Sequence, residues 1–142
     1  LILSTNKNIY ILDTSTGAIL FRKNLSSSIN PIILGKNIFL VTNNNLLISI
    51  DLETFELIYS FDINQKVADF LKSKKYKLQF QNIMIVNNKI FIYLKNSYIL
   101  KFDLYGNLEK IDKLPAKLNS NPIVVDNSIL FLNKQNKLTI VD

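Results

Sequence analysis

Short apolar runs separated by polar turns repeat along the chain in a fixed order. Three stretches each contain a β-rich run, a turn of Gly, Asn, Asp, Lys or Ser, and a second β-rich run. This composition favours short antiparallel strands joined by hairpins. A third run follows each pair and ends in Asp. The paired runs are residues 31–41, 83–93 and 122–132, and the third runs are residues 46–51, 98–103 and 138–142.

The spacing between these runs is constant. The Ile near the start of each second run lies 13 positions before the terminal Asp, as in Ile38 and Asp51, Ile90 and Asp103, and Ile129 and Asp142. A fourth run follows at residues 18–25, 56–63 and, more weakly, 108–114. With Asp13 included, successive terminal Asp residues are 38, 52 and 39 positions apart. Four short strands in each stretch of about 40 residues are typical of β-propeller blades.

We therefore predict an all-β fold, a β-propeller fragment of about three and a half four-stranded blades from a ring of seven or eight. The repeats cover about residues 1–28, 29–64, 81–118 and 119–142 of a single partial domain. The first repeat lacks its opening strand and the last lacks its fourth. We therefore expect the C-terminal part of a longer chain, with sheet edges that need further strands or self-association. A β-sandwich is the structural alternative, but it does not account for the constant spacing.

The longest step between terminal Asp residues contains an insertion at residues 65–80. Val67, Phe70 and Leu71 lie at helical spacing there, which predicts a short amphipathic helix. A basic segment follows, with Lys72, Lys74, Lys75 and Lys77. Insertions in repeat proteins often lie on the binding face, so these lysines are candidates for contact with an acidic partner or an anionic surface. The alternative is a solvated loop without function, because loops tolerate insertion well.

The turn between the third and fourth runs of the first repeat carries the most specific pattern. Asp13 is positioned to accept backbone N–H bonds, Thr16 to do so more weakly, and Gly17 to adopt the left-handed conformation that closes the hairpin. Phe21 is expected between neighbouring blades. The equivalent residues are Asp51, Thr54 and Tyr59 in the second repeat, Asp103 and Gly106 in the third, and Asp142 in the fourth. Their recurrence favours a structural role for these carboxylates.

This turn resembles the quinoprotein-type (PQQ-like) repeat, whose pattern is Ala-x-Asp-x-x-Thr-Gly-Lys-x-x-Trp. Ile11 stands in place of the Ala, Ala18 in place of the Lys and Phe21 in place of the Trp. The second repeat keeps Asp and Thr but lacks the Gly, and the third is one residue shorter and lacks the Thr. The resemblance covers the chain outside residues 65–80. It implies a propeller fold, and one fold hosts many functions.

Two families share these repeats. Quinoprotein dehydrogenases bind pyrroloquinoline quinone and calcium, and their best-known members carry vicinal cysteines and a stacking Trp, whereas this chain has no Cys and no Trp. The chain is more similar to the outer-membrane β-barrel assembly lipoprotein family, BamB. That resemblance implies a non-enzymatic scaffold without a cofactor at the periplasmic face of the outer membrane. It implies a barrel-insertion subunit as partner and membrane association that is indirect or through a lipid anchor outside this segment.

Composition narrows the candidate chemistry. The absence of His removes the usual general base and the commonest metal ligand, so we predict no catalytic, cofactor-binding or metal-binding residue in this chain. The net charge of +6 comes almost entirely from Lys, with Arg22 the only arginine, and nucleic-acid readout favours Arg. We therefore expect no nucleic-acid partner. The alternatives left open are a PQQ-dependent dehydrogenase with its catalytic residues upstream and a ligand-binding sensor propeller.

Overall fold

Antiparallel strands joined by tight turns make up most of the chain. The computed structural model describes residues 1–126 and 128–141, so the predicted motif residue Asp142 lies outside the described residues. The chain divides into two units, Leu1–Lys77 and Leu78–Asp142. Within the described residues, each unit contains two sheets in which neighbouring strands follow one another along the chain. Sheets of three or four strands in this order are the building block of a propeller blade.

The first unit contains a three-stranded sheet, a four-stranded sheet and a helix. The three-stranded sheet lacks a counterpart of the opening strand, in agreement with the expectation from the spacing of the repeats. The strands are β1 (Ile2–Ser4), β2 (Ile9–Leu12) and β3 (Ile19–Lys23) in the first sheet, and β4 (Ile32–Leu34), β5 (Asn37–Val41), β6 (Leu46–Asp51) and β7 (Leu57–Asp62) in the second. Helix α1 (Ile63–Leu71) follows β7 directly.

The second unit contains the same two kinds of sheet in the reverse order, with four strands followed by three. In the first of its sheets the order is β11, β10, β9, β8, and in the second it is β12, β13, β14. The bounds are β8 (Phe80–Val86), β9 (Lys89–Leu94), β10 (Tyr98–Asp103), β11 (Leu108–Lys113), β12 (Ile123–Val125), β13 (Ser128–Leu132) and β14 (Leu138–Val141). The third strands of the two four-stranded sheets, β6 and β10, have the predicted bounds.

The middle strands hold the core of each unit. In β5, the four residues Ile38–Val41 are all buried, because this strand is covered on both faces. Ile38 lies opposite Ile50 and Leu40 opposite Ile48 on β6, and Ile9 of β2 packs against the same cluster. Burying each such side chain contributes roughly 1.5–3 kcal/mol. In the second unit the core cluster is Tyr93, Ile99, Leu114, Leu118 and Phe131.

An aspartate organises the turn from β2 to β3. One carboxylate oxygen of Asp13 accepts hydrogen bonds from the N–H of Ser15 (2.9 Å), the N–H of Thr16 (2.8 Å) and the hydroxyl of Thr16 (2.9 Å). The N–H of Ala18 donates to Oγ1 of Thr16 at 3.2 Å. Gly17 has φ of 72° and its N–H donates to the carbonyl of Asp13 at 3.0 Å. The turn hydrogen bonds therefore follow the sequence pattern.

The second turn has the same hydrogen bonds without the glycine. Asp51 accepts from the N–H of Glu53 (2.7 Å) and of Thr54 (3.0 Å). Phe55 takes the place of Gly17 and has φ of 58°, a conformation that is unfavourable for a bulky side chain. Its ring stacks on Phe21 with centroids 5.3 Å apart and planes 13° from parallel. Phe21 therefore contacts the β6–β7 turn of the neighbouring sheet in the same unit.

The shorter third turn satisfies its carboxylate differently. Asp103 accepts from the N–H of Tyr105 (2.9 Å), the N–H of Asn107 (2.8 Å) and the side-chain amide of Asn107 (2.9 Å). Gly106 has φ of 84° and supplies the left-handed residue. Tyr59, the counterpart of Phe21 in the second repeat, lies opposite Ser49 and stacks on Phe61 with centroids 5.0 Å apart.

These hydrogen bonds stabilise the ionised form of each carboxylate and therefore lower its pKa. The N–H and hydroxyl of Thr16 and the N–H of Ser15 lower the pKa of Asp13, and the N–H groups of Thr54 and Glu53 lower the pKa of Asp51. At Asp103, partial burial raises the pKa, but the side chain and N–H of Asn107 outweigh it and the net shift is downward. All three turns are therefore most stable with the carboxylate charged.

Replacing Gly17 tests the left-handed turn. No atom lies within 4 Å of a Cβ built on this residue, so the cost of Gly17→Ala comes from backbone conformation alone. We expect Gly17→Ala to lower the free energy of unfolding by about 1 kcal/mol. Gly17→Asn should cost less because Asn tolerates positive φ. Denaturant unfolding of both variants measures this, and equal losses would contradict the explanation.

The pH dependence of stability tests the turn carboxylates. The pKa of Asp51 is depressed in the folded state, so its stabilising effect is present above the unfolded pKa of about 3.9 and is lost as pH falls through the folded pKa. We expect Asp51→Asn to be less stable than the parent at pH 7, with the difference shrinking below about pH 4. Glu56→Gln is the matched control, and an identical pH dependence of the two variants would contradict the role of Asp51.

Candidate functional site

The insertion in the first unit begins with helix α1, two residues before the predicted boundary at residue 65. The side chain of Asp62, the last residue of β7, caps the helix by accepting the N–H of Gln65 at 3.1 Å. Lys72 ends the helix with φ of 50°, and the N–H of Ser73 returns to the carbonyl of Ala68 at 2.9 Å. Both helix ends are therefore satisfied locally.

One face of the helix is buried and the other carries exposed apolar groups. Ile63, Val67 and Ala68 are buried. Phe70 and Leu71 are each 47% exposed. The predicted amphipathic helix is therefore present, but two of the three residues that suggested it lie on its outer side. An exposed Phe–Leu pair beside charged residues is a feature that interaction surfaces share.

The basic segment folds back onto the start of the helix. The ammonium of Lys75 forms an ion pair with the carboxylate of Asp62, which is one-third exposed. Partial burial raises the pKa of Asp62, but the hydrogen bonds from Lys75 and from the N–H of Gln65 outweigh it and the net shift is downward. The Asp62 carboxylate therefore serves both as helix cap and as anchor for the returning segment.

This return creates an open polar cleft of about 390 Å³, which we call the asparagine–lysine cleft. One side is the turn between β5 and β6, and the other is the helix start together with the returning segment. Its lining residues are Asn43, Asn44, Asn45, Asn64, Lys75, Tyr76 and Lys77. The cleft therefore presents amide donors and acceptors, two ammonium groups and one aromatic ring.

Hydrogen bonds hold the asparagines of the cleft in place. The side chain of Asn45 donates to Oδ1 of Asn64 at 3.2 Å, and its carbonyl accepts the N–H of Ile63 at 3.0 Å. The side chain of Asn43 donates to the hydroxyl of Ser26 at 2.9 Å. Asn45 has φ of 64°, which Asn tolerates better than most residues. The asparagine side of the cleft is therefore ordered before any partner arrives.

The structure separates the four lysines predicted from the sequence. Lys75 and Lys77 line the asparagine–lysine cleft, whereas Lys72 caps the helix and Lys74 lies outside the lining. All four are exposed. The asparagines and Tyr76 were not predicted as site residues. The pairing of Leu46 with Asp62 brings the turn before β6 beside the end of β7. A predicted meander of four strands therefore already indicates that this turn lies next to the insertion.

Within residues 1–126 and 128–141, no helix is long and apolar enough to cross a bilayer. Over the same residues, no group of three or more Asp or Glu side chains is arranged to hold a metal ion.

Comparison with known proteins defines the fold. Neither a protein-family model nor a curated protein matches the chain significantly, whereas 210 chains of solved structures do. BamB from Moraxella catarrhalis matches with a TM-score of 0.56 and 12% identity over 95% of this chain and 51% of that one. Hsv2 from Kluyveromyces lactis matches with a TM-score of 0.58 and 15% identity, over 95% and 38%. The computationally designed Ika4 protein matches with a TM-score of 0.63 and 12% identity, over 99% and 90%.

These matches confirm two predictions. The neighbours are β-propellers, so the predicted fold class, a fragment of a β-propeller, is confirmed, and so is the structural resemblance to BamB. The chain spans about half the length of the BamB structure that it matches. Because natural and designed propellers match at similar scores and low identity, the likeness defines the fold alone.

The ion pair between Lys75 and Asp62 gives a direct test of the cleft geometry. We expect Lys75→Met to raise the pKa of Asp62, because the ammonium that stabilises its ionised form is removed. Lys74→Met is the matched control and should leave that pKa unchanged. NMR titration of the Asp62 carboxyl carbon measures both. An unchanged Asp62 pKa in Lys75→Met would show that the segment does not fold back.

Proposed function

We propose that this chain is part of a non-enzymatic β-propeller scaffold that binds a protein partner. The asparagine–lysine cleft and the exposed apolar residues Phe70 and Leu71 form the proposed contact surface. The observation that carries the proposal is the folding of the insertion against the Asn43–Asn45 turn, since this arrangement gathers polar, basic and aromatic groups on one unit.

The charges of the cleft favour an acidic partner segment. In the part of the chain that the structure describes, Lys75 is paired with Asp62, whereas no ion pair involves Lys77 in the cleft or Lys74 outside its lining. Their charges are therefore available to carboxylates of a partner. Exposed pairs of this kind contribute little affinity but guide association and orientation.

The aromatic and apolar groups supply the remaining binding energy. Tyr76 is 48% exposed and lines the cleft, and Phe70 and Leu71 lie at the end of helix α1. Aromatic residues are enriched at the centres of protein interfaces, where a polar rim surrounds them. The amide groups of the cleft asparagines are suited to the main chain of an extended partner segment, which offers both donors and acceptors.

The resemblance to BamB suggests the biological setting. We propose that the scaffold acts at the periplasmic face of the outer membrane in β-barrel assembly, with the barrel-insertion subunit as its partner. Membrane association would then be indirect, or through a lipid anchor outside this segment. What supports this setting is the likeness of fold to BamB together with the Asp-x-x-Thr turns at Asp13 and Asp51.

Site-specific photocrosslinking tests the proposed surface. A photoreactive phenylalanine analogue replaces Tyr76 in the cleft or, as a matched control, the exposed Tyr105 in the turn after β10, in cells of the source organism. We expect a protein adduct from position 76 that contains the barrel-insertion subunit and none of that protein from position 105. Mass spectrometry of the adducts identifies the partner.

A charge variant completes the test. Lys77→Gln should lower the adduct yield by roughly threefold to tenfold, while Lys113→Gln on β11 should leave it unchanged. The same protein captured equally from both positions, or no protein captured from position 76, would contradict the cleft as contact surface. Dye reduction by the purified protein that requires pyrroloquinoline quinone and calcium would contradict the non-enzymatic role.

A further inference from the structure

The second unit contains a cavity of about 200 Å³ that the turn pattern does not explain. It lies between the sheet of β8 to β11 and the sheet of β12 to β14. Phe91 and the fully buried Tyr93 form one wall, and Val124 and Ile129 face them. Pockets for drug-sized ligands measure roughly 300–1,000 Å³, so this volume suits a smaller molecule.

A lysine lines this largely apolar space. Lys101 of β10 lies opposite Phe91 of β9, and its ammonium is 6.0 Å from the centre of the Phe91 ring. Both residues line the cavity. The Lys101 side chain is partly buried, and an anion or a π face stabilises an ammonium in such a position.

The lysine is specific to the third repeat. Each terminal Asp has a residue two positions before it on the third strand, and these residues are Ile11, Ser49, Lys101 and Ile140. Apolar or small side chains therefore satisfy the fold at this position in the other repeats. The blade therefore does not require the cation of Lys101.

The charges around the cavity favour a single negative charge on the ligand. Lys89 lines the rim, but its ammonium is paired with Glu109. No ion pair among the described residues involves Lys101. Asp126, which is exposed, also lines the cavity. Its carboxylate repels an anion in proportion to the charge of that anion, so a phosphate monoester is disfavoured more than a monocarboxylate.

The wall residues define the remainder of the ligand. The hydroxyl of Tyr93 lies 3.0 Å from the sulfur of Met84, and burial raises the pKa of this phenol well above its ordinary value. The wall is therefore neutral as well as largely apolar. An aromatic or branched aliphatic group fits such a surface, and stacking or edge contacts with Phe91 and Tyr93 would orient it.

We propose that this cavity binds a small organic monocarboxylate, with its apolar body between Phe91, Tyr93 and Ile129 and its carboxylate on the ammonium of Lys101. The carboxylate forms a charge-assisted hydrogen bond with the Lys101 ammonium, and the apolar body displaces water from the walls. The site lies wholly in the second unit. It is therefore independent of the asparagine–lysine cleft, and either proposal can fail without the other.

Ligand titrations followed by NMR test the proposal on the whole chain. The probes are 3-phenylpropionate, its neutral amide and 3-phenylpropylamine, which share one apolar body and differ in charge. We expect the carboxylate to bind about tenfold or more tightly than the amide, since a charge-assisted hydrogen bond is worth at least that factor. The amine should bind most weakly. The backbone N–H signals of Phe91, Lys101 and Ile129 should shift.

Variants at Lys101 separate its charge from its packing. Lys101→Met keeps an unbranched apolar side chain and should remove the preference for the carboxylate, while Lys101→Arg should retain it. Lys95→Met, an exposed lysine outside the cavity lining, is the matched control and should behave as the parent. Equal binding of carboxylate and amide by the parent, or an unchanged preference in Lys101→Met, would overturn the proposal. A tetrapeptide ending in Phe that binds more tightly than 3-phenylpropionate would overturn the assignment to a small molecule.

Discussion

In three of the four sheets within the described residues, an Asp at the end of one strand, or directly after it, accepts hydrogen bonds from the turn that follows. These residues are Asp13, Asp51 and Asp103. These bonds fix where the next strand begins, and therefore its register. A shift of one residue would turn every side chain to the opposite face of the sheet. The Asp51 turn sets β7 against β6, with Leu47 opposite Phe61 and Ile48 opposite Ser60. The buried strand β6 is thus covered by an outer strand whose register depends on hydrogen bonds made in an exposed turn.

The fold was predictable because the repeat supplies several independent copies of one pattern. The equal distances from Ile38 to Asp51 and from Ile90 to Asp103 define a four-stranded unit without any single strong motif. Strand propensity and the turn residues then agree with the spacing, and this consistency gives the prediction its strength. Exact bounds were predicted for β6 and β10, which are buried and end in the capping Asp. The outer strand β7 and the helix differ by one or two residues, because Asp62 caps α1 and Ile63 is buried with it.

The candidate sites were less predictable because they depend on where neighbouring turns meet. Spacing and charge identified the basic segment, but they could not show that Lys75 returns to Asp62 or that Lys74 stays outside the cleft. The β5–β6 turn itself is enough to explain its asparagines, since Asn45 accommodates the positive φ that the turn requires. Their second role follows only from the sheet topology, which brings the start of β6 next to the end of β7. The insertion has no counterpart in the other repeats, so the repeat pattern does not predict which way its side chains point.

Departures from the repeat separate structural positions from functional ones. A position that the blade requires should carry an equivalent residue in each copy, as Asp13, Asp51 and Asp103 do. A departure with a local compensation belongs to the fold: Phe55 replaces glycine at positive φ, and its stacking on Phe21 offsets the strain. Lys101 has no such compensation beyond a distant ring, because its cation lies between sheets where other repeats place Ile or Ser. In the described part of the chain no carboxylate pairs with this partly buried cation, and the proposed ligand would supply one.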